Sequence, residues 1–163
     1  MPLLRRALAR PLVWLPRDLL RELCAQAERE RPCETGGMLL GWRVGDQIAI
    51  VRAIAPGPRA KRERECFEAD GPWQQEQLAA AYEESGRTVT YLGDWHSHPR
   101  GPARPSARDR QTAVLVAGCP EARAPEPLTV ILGRRSRRWR TRCFIYAEGR
   151  MRRAHIRVHQ AAS

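Results

Sequence analysis

The sequence predicts a mixed α/β domain in which helices pack on a β-sheet. Helical and strand patterns alternate along the chain in the order α-β-β-(β)-α-β-α-β-β. No internal repeat or long linker divides the sequence, and 163 residues are enough to bury one ordinary core. These observations together favour one domain over two.

The first predicted elements are a helix at residues 16–30 and a β-hairpin. Pro16 suits the first turn of the helix. The apolar residues of that helix recur on one face, at Leu19, Leu20, Leu23, Cys24 and Ala27. The hairpin is predicted because two apolar runs, residues 38–44 and 47–55, flank a Gly-Asp turn.

The middle of the chain contains a second predicted helix at residues 72–85. A Pro- and Arg-rich loop at residues 56–65 and a short strand at residues 66–69 precede this helix. The side chains expected to face the core are Trp73, Leu78, Ala81 and Tyr82. After a loop with three prolines at residues 119–127, the last predicted strands cover residues 128–132 and 139–147.

A pair of histidines ends the strand predicted from residue 88. Residues 88–95 are mostly β-branched and aromatic, which is typical of a strand. Side chains two residues apart on a strand point to one face, so His96 and His98 can converge while Ser97 points the other way. Pro99 cannot donate to a sheet ladder and ends the strand.

A helix begins near Ser106, after a loop at residues 100–105. Residues three apart on a helix share a face, so Ser106 and Asp109 can both point back toward the histidines. Two imidazole nitrogens and one carboxylate suit a catalytic zinc with one coordination position left for water. Two structural alternatives exist: Ser106 and Asp109 match a helix capping box, and the histidine pair can be a feature of the core.

Hydrolysis at such a site needs a separate carboxylate to carry protons. Zinc lowers the pKa of its water from ~16 to about 7, and a nearby free acid takes that proton and passes it to a leaving amine. Glu34 lies at the start of a predicted strand, before a Thr-Gly-Gly turn whose glycines permit close backbone approach. From spacing alone, however, Glu28 and Glu30 are almost equally good candidates.

These segments resemble the signature of the JAMM (MPN+) metalloproteases. The resemblance rests on His96-Ser97-His98-Pro99, seven residues from Pro99 to Pro105, and then Ser106 and Asp109. The sequence ETGGMLLG at residues 34–41 is similar to the glutamate segment of prokaryotic JAB-domain members. The resemblance implies that His96, His98 and Asp109 bind one zinc ion with a water. It also implies that Glu34 is the general base and then acid, and that Ser106 supports the oxyanion.

The resemblance also implies a fold and a domain extent. We expect a cytidine-deaminase-like architecture, with a mixed sheet flanked by helices, in one JAB/MPN+ domain over residues 1–163. Its expected core covers about residues 15–146, and a basic C-terminal segment covers residues 150–163.

The function implied by the resemblance is peptide or isopeptide hydrolysis after the C-terminal glycine of a ubiquitin-like protein. Such an enzyme trims a precursor or removes the modifier from a target, in some relatives beside E1- and E2-like enzymes of bacterial antiphage systems. The alternative is processing of a sulfur-carrier protein in cysteine or cofactor synthesis. Because the loops at residues 56–65 and 119–127 are short, we expect recognition of mainly one partner and its extended C-terminal tail.

The net charge of +11 comes almost entirely from arginine, since Lys61 is the one lysine. The densest cluster comprises Arg134, Arg135, Arg137, Arg138, Arg140 and Arg142, with Arg150, Arg152 and Arg153 beyond it. One interpretation is a nucleic-acid surface, as in the similar RadC-type proteins, although the chain has no room for their extra N-terminal helical region. The favoured interpretation is a charged, solvated strand edge, and steering of an acidic partner is a third. A non-catalytic MPN scaffold is disfavoured because every ligand is present.

The remaining features indicate no further site. Five cysteines without CxxC spacing argue against a disulfide framework or a zinc knuckle, and we expect most of them to be buried. Cys33 adjoins Glu34, so its oxidation would disturb the site. His155 and His159 are expected on the surface. No apolar run is long enough to span a membrane and residues 1–15 do not resemble a signal peptide, so we expect a cytoplasmic protein.

Overall fold

The structure, a computed structural model, describes residues 10–160. Residues 1–9, which belong to the segment without a signal-peptide pattern, and residues 161–163 lie outside the described part. The helices of residues 10–160 are α1 (Arg17–Arg29), α2 (Gly71–Glu84) and α3 (Ala107–Ala117), with a 3-10 turn at Pro120–Ala122. The strands are β1 (Leu12–Pro16), β2 (Gly36–Val44), β3 (Gln47–Ile54), β4 (Lys61–Arg62), β5 (Phe67–Glu68), β6 (Thr90–His98), β7 (Leu128–Arg135), β8 (Arg138–Ala147) and β9 (Arg150–His159).

The main sheet is mixed and closes into a barrel. Its strand order is β1-β3-β2-β6-β7-β8-β9, and it closes because β1 pairs with both β3 and β9. The pairs β1–β3, β1–β9 and β6–β7 are parallel, and the other pairs are antiparallel. Strands β4 and β5 form a separate small hairpin. The predicted α/β class with a mixed sheet and flanking helices is confirmed.

Strand pairing extends beyond both ends of the expected core at residues 15–146. β1 has only five residues and two prolines border it, so the sequence analysis does not assign it, yet Val13 and Leu15 are fully buried. β9 is a strand of the barrel rather than an appended basic segment, and its Ala154 is buried. Arginines occupy many outward positions of β9, so the alternation of residues 156–158 predicts a strand there but does not reveal its full length or its place in the barrel.

Two hydrophobic clusters lie on opposite faces of β2, because neighbouring side chains of a strand alternate. Leu39 belongs to the larger cluster, which contains Trp95 and all five of the predicted α1 residues. Leu40 belongs to the smaller cluster, in which α2 contributes Trp73, Leu78 and Ala81. The predicted core residue Tyr82 is half-buried and belongs to neither cluster. Helix α2 therefore covers the face of the sheet from which His96 and His98 project.

Gly93 allows β6 to change register in front of the histidines. The β2–β6 register shifts between Leu39 and Leu40, whose partners are Gly93 and Tyr91. Gly93 has φ of 149°, and a Cβ at this position would lie 2.0 Å from the carbonyl oxygen of Leu128. Residues three positions apart on a regular strand point to opposite faces. The irregular register instead lets both Tyr91 and Asp94 line the same groove.

We predict that Gly93→Ala lowers the free energy of unfolding by about 2–4 kcal/mol, because the methyl group meets the backbone of β7. Chemical denaturation measures this change. Gly149→Ala is the matched control, since Gly149 also has positive φ, at 75°, but no atom lies within 4 Å of the added Cβ. We expect a loss of about 1 kcal/mol there. Equal losses at the two glycines would contradict the role assigned to the contact with Leu128.

Candidate metal and catalytic site

Strand β6 presents His96 and His98 on one face, as their spacing predicts. The two Nε2 atoms are 3.0 Å apart, and the side chains are largely buried. Ser97, between them, points to the opposite face and is fully buried. The strand ends at His98, directly before Pro99. Two imidazole nitrogens are thereby aimed at one point above the sheet.

Asp109, in the first turn of α3, completes a cluster of three donors. Its Oδ1 is 3.2 Å from His96 Nε2, and its Oδ2 is 3.5 Å from His98 Nε2. One donor atom from each residue lies within 4.8 Å of the others. Burial alone would raise the pKa of Asp109, but the two neighbouring imidazoles in their protonated form, together with the N–H of Ser106, hold it well below its usual range. This carboxylate is therefore ionised at neutral pH.

The chemistry of these donors fits a metal ion. Pro102 O can only accept a hydrogen bond, so His98 Nδ1, 3.0 Å away, carries the ring proton and leaves Nε2 with a lone pair. In the neutral ring that lone pair faces the ionised Asp109 and His96 Nε2, and such groups repel unless a proton or a metal ion lies between them. Zinc ligands bound at 2.0–2.1 Å in a tetrahedral site are roughly 3.3 Å apart, which agrees with the separations of 3.0, 3.2 and 3.5 Å.

Ser106 is the N-cap of α3 and holds Asp109 in place. Ser106 Oγ accepts a hydrogen bond from Asp109 N at 3.1 Å, and Ser106 N donates to Asp109 Oδ2 at 2.6 Å. The capping box considered as an alternative is thus present, and it coexists with the donor cluster. Because Oγ accepts in this contact, the Ser106 hydroxyl proton is free to donate elsewhere.

Glu34 lines the same cavity as the donor cluster, whereas Glu28 and Glu30 do not line it. Glu34 is half-buried, and this burial raises the pKa of its carboxyl although the histidines oppose the shift. Glu28 is bound by Arg31 and Trp139, and Glu30 lies 3.5 Å from Arg62. The ambiguity among these acids in the sequence is therefore removed by their positions.

Ser97, for which the sequence analysis predicts no role, anchors the segment that carries Glu34. Thr35 N donates to Ser97 Oγ at 3.0 Å, and Ser97 N donates to Thr35 O at 2.8 Å. On the other side, Glu34 N donates to Glu63 O at 2.8 Å in the β4–β5 hairpin. The signal was available in the sequence, because a serine between the two histidines must face inward.

Gly36 and Gly37 explain why this segment can lie so close to β6. They pair with His96 and Trp95 as the first residues of β2, so they form strand rather than the expected turn. A Cβ on Gly36 would lie 2.3 Å from Trp95 O, and one on Gly37 would lie 2.1 Å from Ile54 O. Close backbone approach, the reason proposed for the paired glycines, is therefore what the structure contains.

A groove extends from the donor cluster along β6. Its volume is about 1030 Å³, and α2 and α3 line its sides. Asp94 and Tyr91 line its floor, and the Tyr91 hydroxyl donates to Asp94 Oδ2 at 2.8 Å. Burial raises the pKa of Asp94 to about 6. Asp94 lies two residues before His96 on the strand, but its sequence position predicts no role for it.

The arginine cluster lies mainly on the β7–β8 hairpin. Residues 138–142 of β8 pair with β7, whereas β9 pairs with β8 from Cys143 onward and then continues along β1. In the described part of the chain, residues 138–142 of β8 therefore pair with β7 and have no strand on their other edge. This agrees with the interpretation of a charged strand edge. Arg134 is 3.5 Å from Glu28.

The cysteines and the C-terminal histidines form no further site in the structure. All five cysteines are free. Only Cys143 is buried, so the expectation that most are buried is wrong, and burial raises the pKa of its thiol to about 12. Cys33 is half-buried beside Glu34. His155 is exposed, and the half-buried His159 packs edge-on against Trp14. No helix among residues 10–160 is long and apolar enough to cross a membrane.

Comparison with known proteins links this geometry to a family. The family described as prokaryotic homologs of the JAB domain matches residues 16–142. A probable metalloprotease, y4qB, of Sinorhizobium fredii is 37% identical over 123 residues, which cover 74% of this chain and 75% of that protein.

A relative and a solved structure add to this comparison. A CD-NTase/cGAS isopeptidase of Pseudomonas aeruginosa is 37% identical over 103 residues, covering 63% of this chain and 64% of that protein. Further relatives carry the same isopeptidase name or that of a probable conjugate-cleaving protease. The solution structure of protein DSY2949 from Desulfitobacterium hafniense superposes with a TM-score of 0.71 at 24% identity, covering 91% of this chain and 94% of that one, and thus has the same fold.

We predict that the chain purified without chelators contains about one zinc ion, and that His98→Ala and Asp109→Ala lose it, because two remaining ligands bind zinc weakly. Metal analysis of the purified proteins by mass spectrometry measures the content. Glu34→Ala is the control, since Glu34 is not part of the donor cluster and the variant should retain its zinc. Zinc-free wild-type protein would contradict the assignment.

We also predict that Ser97→Ala lowers the free energy of unfolding by about 1–3 kcal/mol, because the buried Thr35 N–H loses its acceptor. The comparison is Ser106→Ala, which removes the same kind of bond at an exposed helix cap. Its expected cost is about 1 kcal/mol. Denaturation curves measure both losses. A loss at Ser97 no larger than the loss at Ser106 would argue against the anchoring role.

Proposed function

The chain belongs to the prokaryotic JAB-domain family, and from this premise we propose that it is a zinc-dependent isopeptidase acting on a ubiquitin-like protein. Membership and the protease names of its relatives make it a hydrolase of the metalloprotease class. The observation that carries the proposal is that the donor cluster of His96, His98 and Asp109 lines the same groove as Glu34. This arrangement supports cleavage of a bond at the end of an extended tail.

The mechanism assigns one task to each residue. His96, His98 and Asp109 would hold the metal. When bound, the metal supplies a Lewis acid that polarises the scissile carbonyl and lowers the pKa of a water. Glu34 takes a proton from the attacking water and delivers it to the leaving amine nitrogen as the C–N bond breaks. Burial raises the pKa of Glu34 toward neutral pH, which suits a group that must both accept and release a proton.

The Ser106 hydroxyl is assigned to the oxyanion that forms at the carbonyl. Its Oγ already accepts from Asp109 N, so its proton is available to a developing negative charge. The same contact fixes the Ser106 side chain at the N-terminus of α3, where the helix dipole also favours an anion. A preoriented donor of this kind typically contributes ~10²-fold or more in rate.

The groove supports a tail as the substrate. β6 pairs with β2 on one side and β7 on the other, so a peptide cannot join the sheet beside the histidines and must lie over its face. The groove has a volume of about 1030 Å³ and is lined by residues of α2, α3 and β6, which leaves room for several residues of a peptide.

The proposed function also includes the biological system in which the enzyme acts. The isopeptidase names of relatives support removal of a ubiquitin-like protein from a target. A system with E1- and E2-like enzymes, such as those of antiphage defence, belongs to this proposal through the family resemblance of the sequence alone. Processing of a sulfur-carrier precursor requires the same bond cleavage and is the alternative. The exposed arginines of the β7–β8 hairpin also suit an acidic partner protein, or a nucleic acid as in RadC-like proteins.

We predict that the enzyme cuts a ubiquitin-like protein with a C-terminal extension after its terminal glycine, and that Glu34→Gln lowers kcat by about 10²–10⁴-fold through loss of proton transfer. Mass spectrometry locates the cut, and timed assays give the rate. Glu28→Gln and Glu30→Gln are matched controls, since neither residue lines the groove. Retained activity in zinc-loaded Glu34→Gln would reject the assigned base.

A further inference from the structure

Asp94 is a carboxylate on the floor of the groove that the mechanism does not use. It lies two residues before His96 on the same face of β6 and lines the groove together with Tyr91. The Tyr91 hydroxyl donates to Oδ2 at 2.8 Å, and Oδ1 has no hydrogen-bond donor among residues 10–160. One carboxylate oxygen is therefore held in place by the protein while the other remains available.

Asp94 also lacks a cationic partner in the described part of the chain. No arginine or lysine there forms an ion pair with it, although the sequence contains 29 such residues. Asp70, which is more deeply buried, shows what this chain does elsewhere: Arg59 binds both of its oxygens, at 3.0 and 3.1 Å. Burying a carboxylate without a cationic partner lowers the stability of a protein. Asp94 is therefore a destabilising feature of the groove, although the chain contains many arginines that could pair with such an acid.

The position of Asp94 matches a particular residue of a bound tail. Two residues along a strand span about 7 Å, so Asp94 lies about that distance from His96. An extended peptide over the sheet advances at the same rate, and its residue roughly two positions before the cleaved bond therefore lies above Asp94. Arg64, Arg100 and Arg108 line other parts of the groove and disfavour a basic residue there.

We propose that Asp94, oriented by Tyr91, accepts a positively charged side chain of the substrate tail, an arginine or lysine roughly two residues before the cleaved glycine. This inference rests on the proposed function, because it assumes that the tail of the substrate occupies the groove. Asp94 is then a specificity-determining residue: it selects which tails enter the site in the productive register and takes no part in bond cleavage.

The first experiment uses the wild-type enzyme with internally quenched peptides cut at a central glycine. A single arginine is moved along each side of the cut and compared at each position with citrulline, which keeps the shape of arginine without its charge. We expect kcat/KM to favour arginine by about tenfold or more at one position before the cut, since a hydrogen-bonded charge pair has that magnitude. No preference at any position, or a preference only after the cut, would overturn the inference.

The second experiment uses Asp94→Asn with the same peptides. We expect the arginine-to-citrulline ratio to fall to about one, mainly through KM. Glu121→Gln is the matched control, because it neutralises another carboxylate of the groove and should leave the ratio unchanged. An equal loss for both peptides in Asp94→Asn would indicate a purely structural role and contradict the proposal.

A binding measurement separates this inference from the proposed function. Zinc-loaded Glu34→Gln is titrated with fluorescent forms of the same peptides, and anisotropy gives Kd without cleavage. Tighter binding of the arginine peptide supports the inference even where the wild-type enzyme cuts none of the peptides, in which case the proposed function fails alone. Cleavage with equal Kd and equal kcat/KM for arginine and citrulline overturns the inference and leaves the proposed function standing.

Discussion

The interaction on which this site depends is the close approach of three electron-pair donors from two elements. His96 and His98 come from β6 and Asp109 from α3, with separations of 3.0–3.5 Å between donor atoms. With neutral imidazoles these groups repel unless a metal ion lies between them, so other interactions must hold them together. The capping box of Ser106 fixes Asp109, and the carbonyl of Pro102 fixes the ring of His98. The site is thus preorganised by ordinary backbone hydrogen bonds, and a metal ion would relieve its repulsion.

Hydrogen bonds of the backbone also position Glu34, whose side chain lines the same groove as the donors. Two glycines allow the start of β2 to approach β6, and Ser97 and Glu63 hold the preceding residues from both sides. A segment anchored in this way loses little entropy when the substrate binds. The chain thus separates two tasks: β6 and α3 assemble the donors, and the β4–β5 hairpin with β2 positions Glu34, the proposed proton carrier.

Much of this arrangement could be predicted from local patterns. The spacing of His96 and His98 on a strand and the start of a helix near Ser106 agree with the structure, as does the apolar face of α1. The prediction is poorer where pairing partners lie far apart in sequence. β1 and β9 are parallel neighbours from opposite ends of the chain, and neither has a local pattern strong enough to reveal a closed barrel. Most of the five cysteines are expected to be buried, yet only Cys143 is, because composition does not specify burial.

The sequence by itself determined that the candidate metal ligands His96, His98 and Asp109 can face one another. The periodicities of strand and helix dictate which side chains share a face over a few residues. It did not determine which acid accompanies the ligands: Glu28, Glu30 and Glu34 are close in sequence, and only their different partners in the fold distinguish them. Nor could it indicate that Asp94 lies unpaired in a groove while Asp70 is bound by Arg59. Those facts depend on contacts between distant segments, which exist only once the barrel has closed and α2 and α3 have packed beside it.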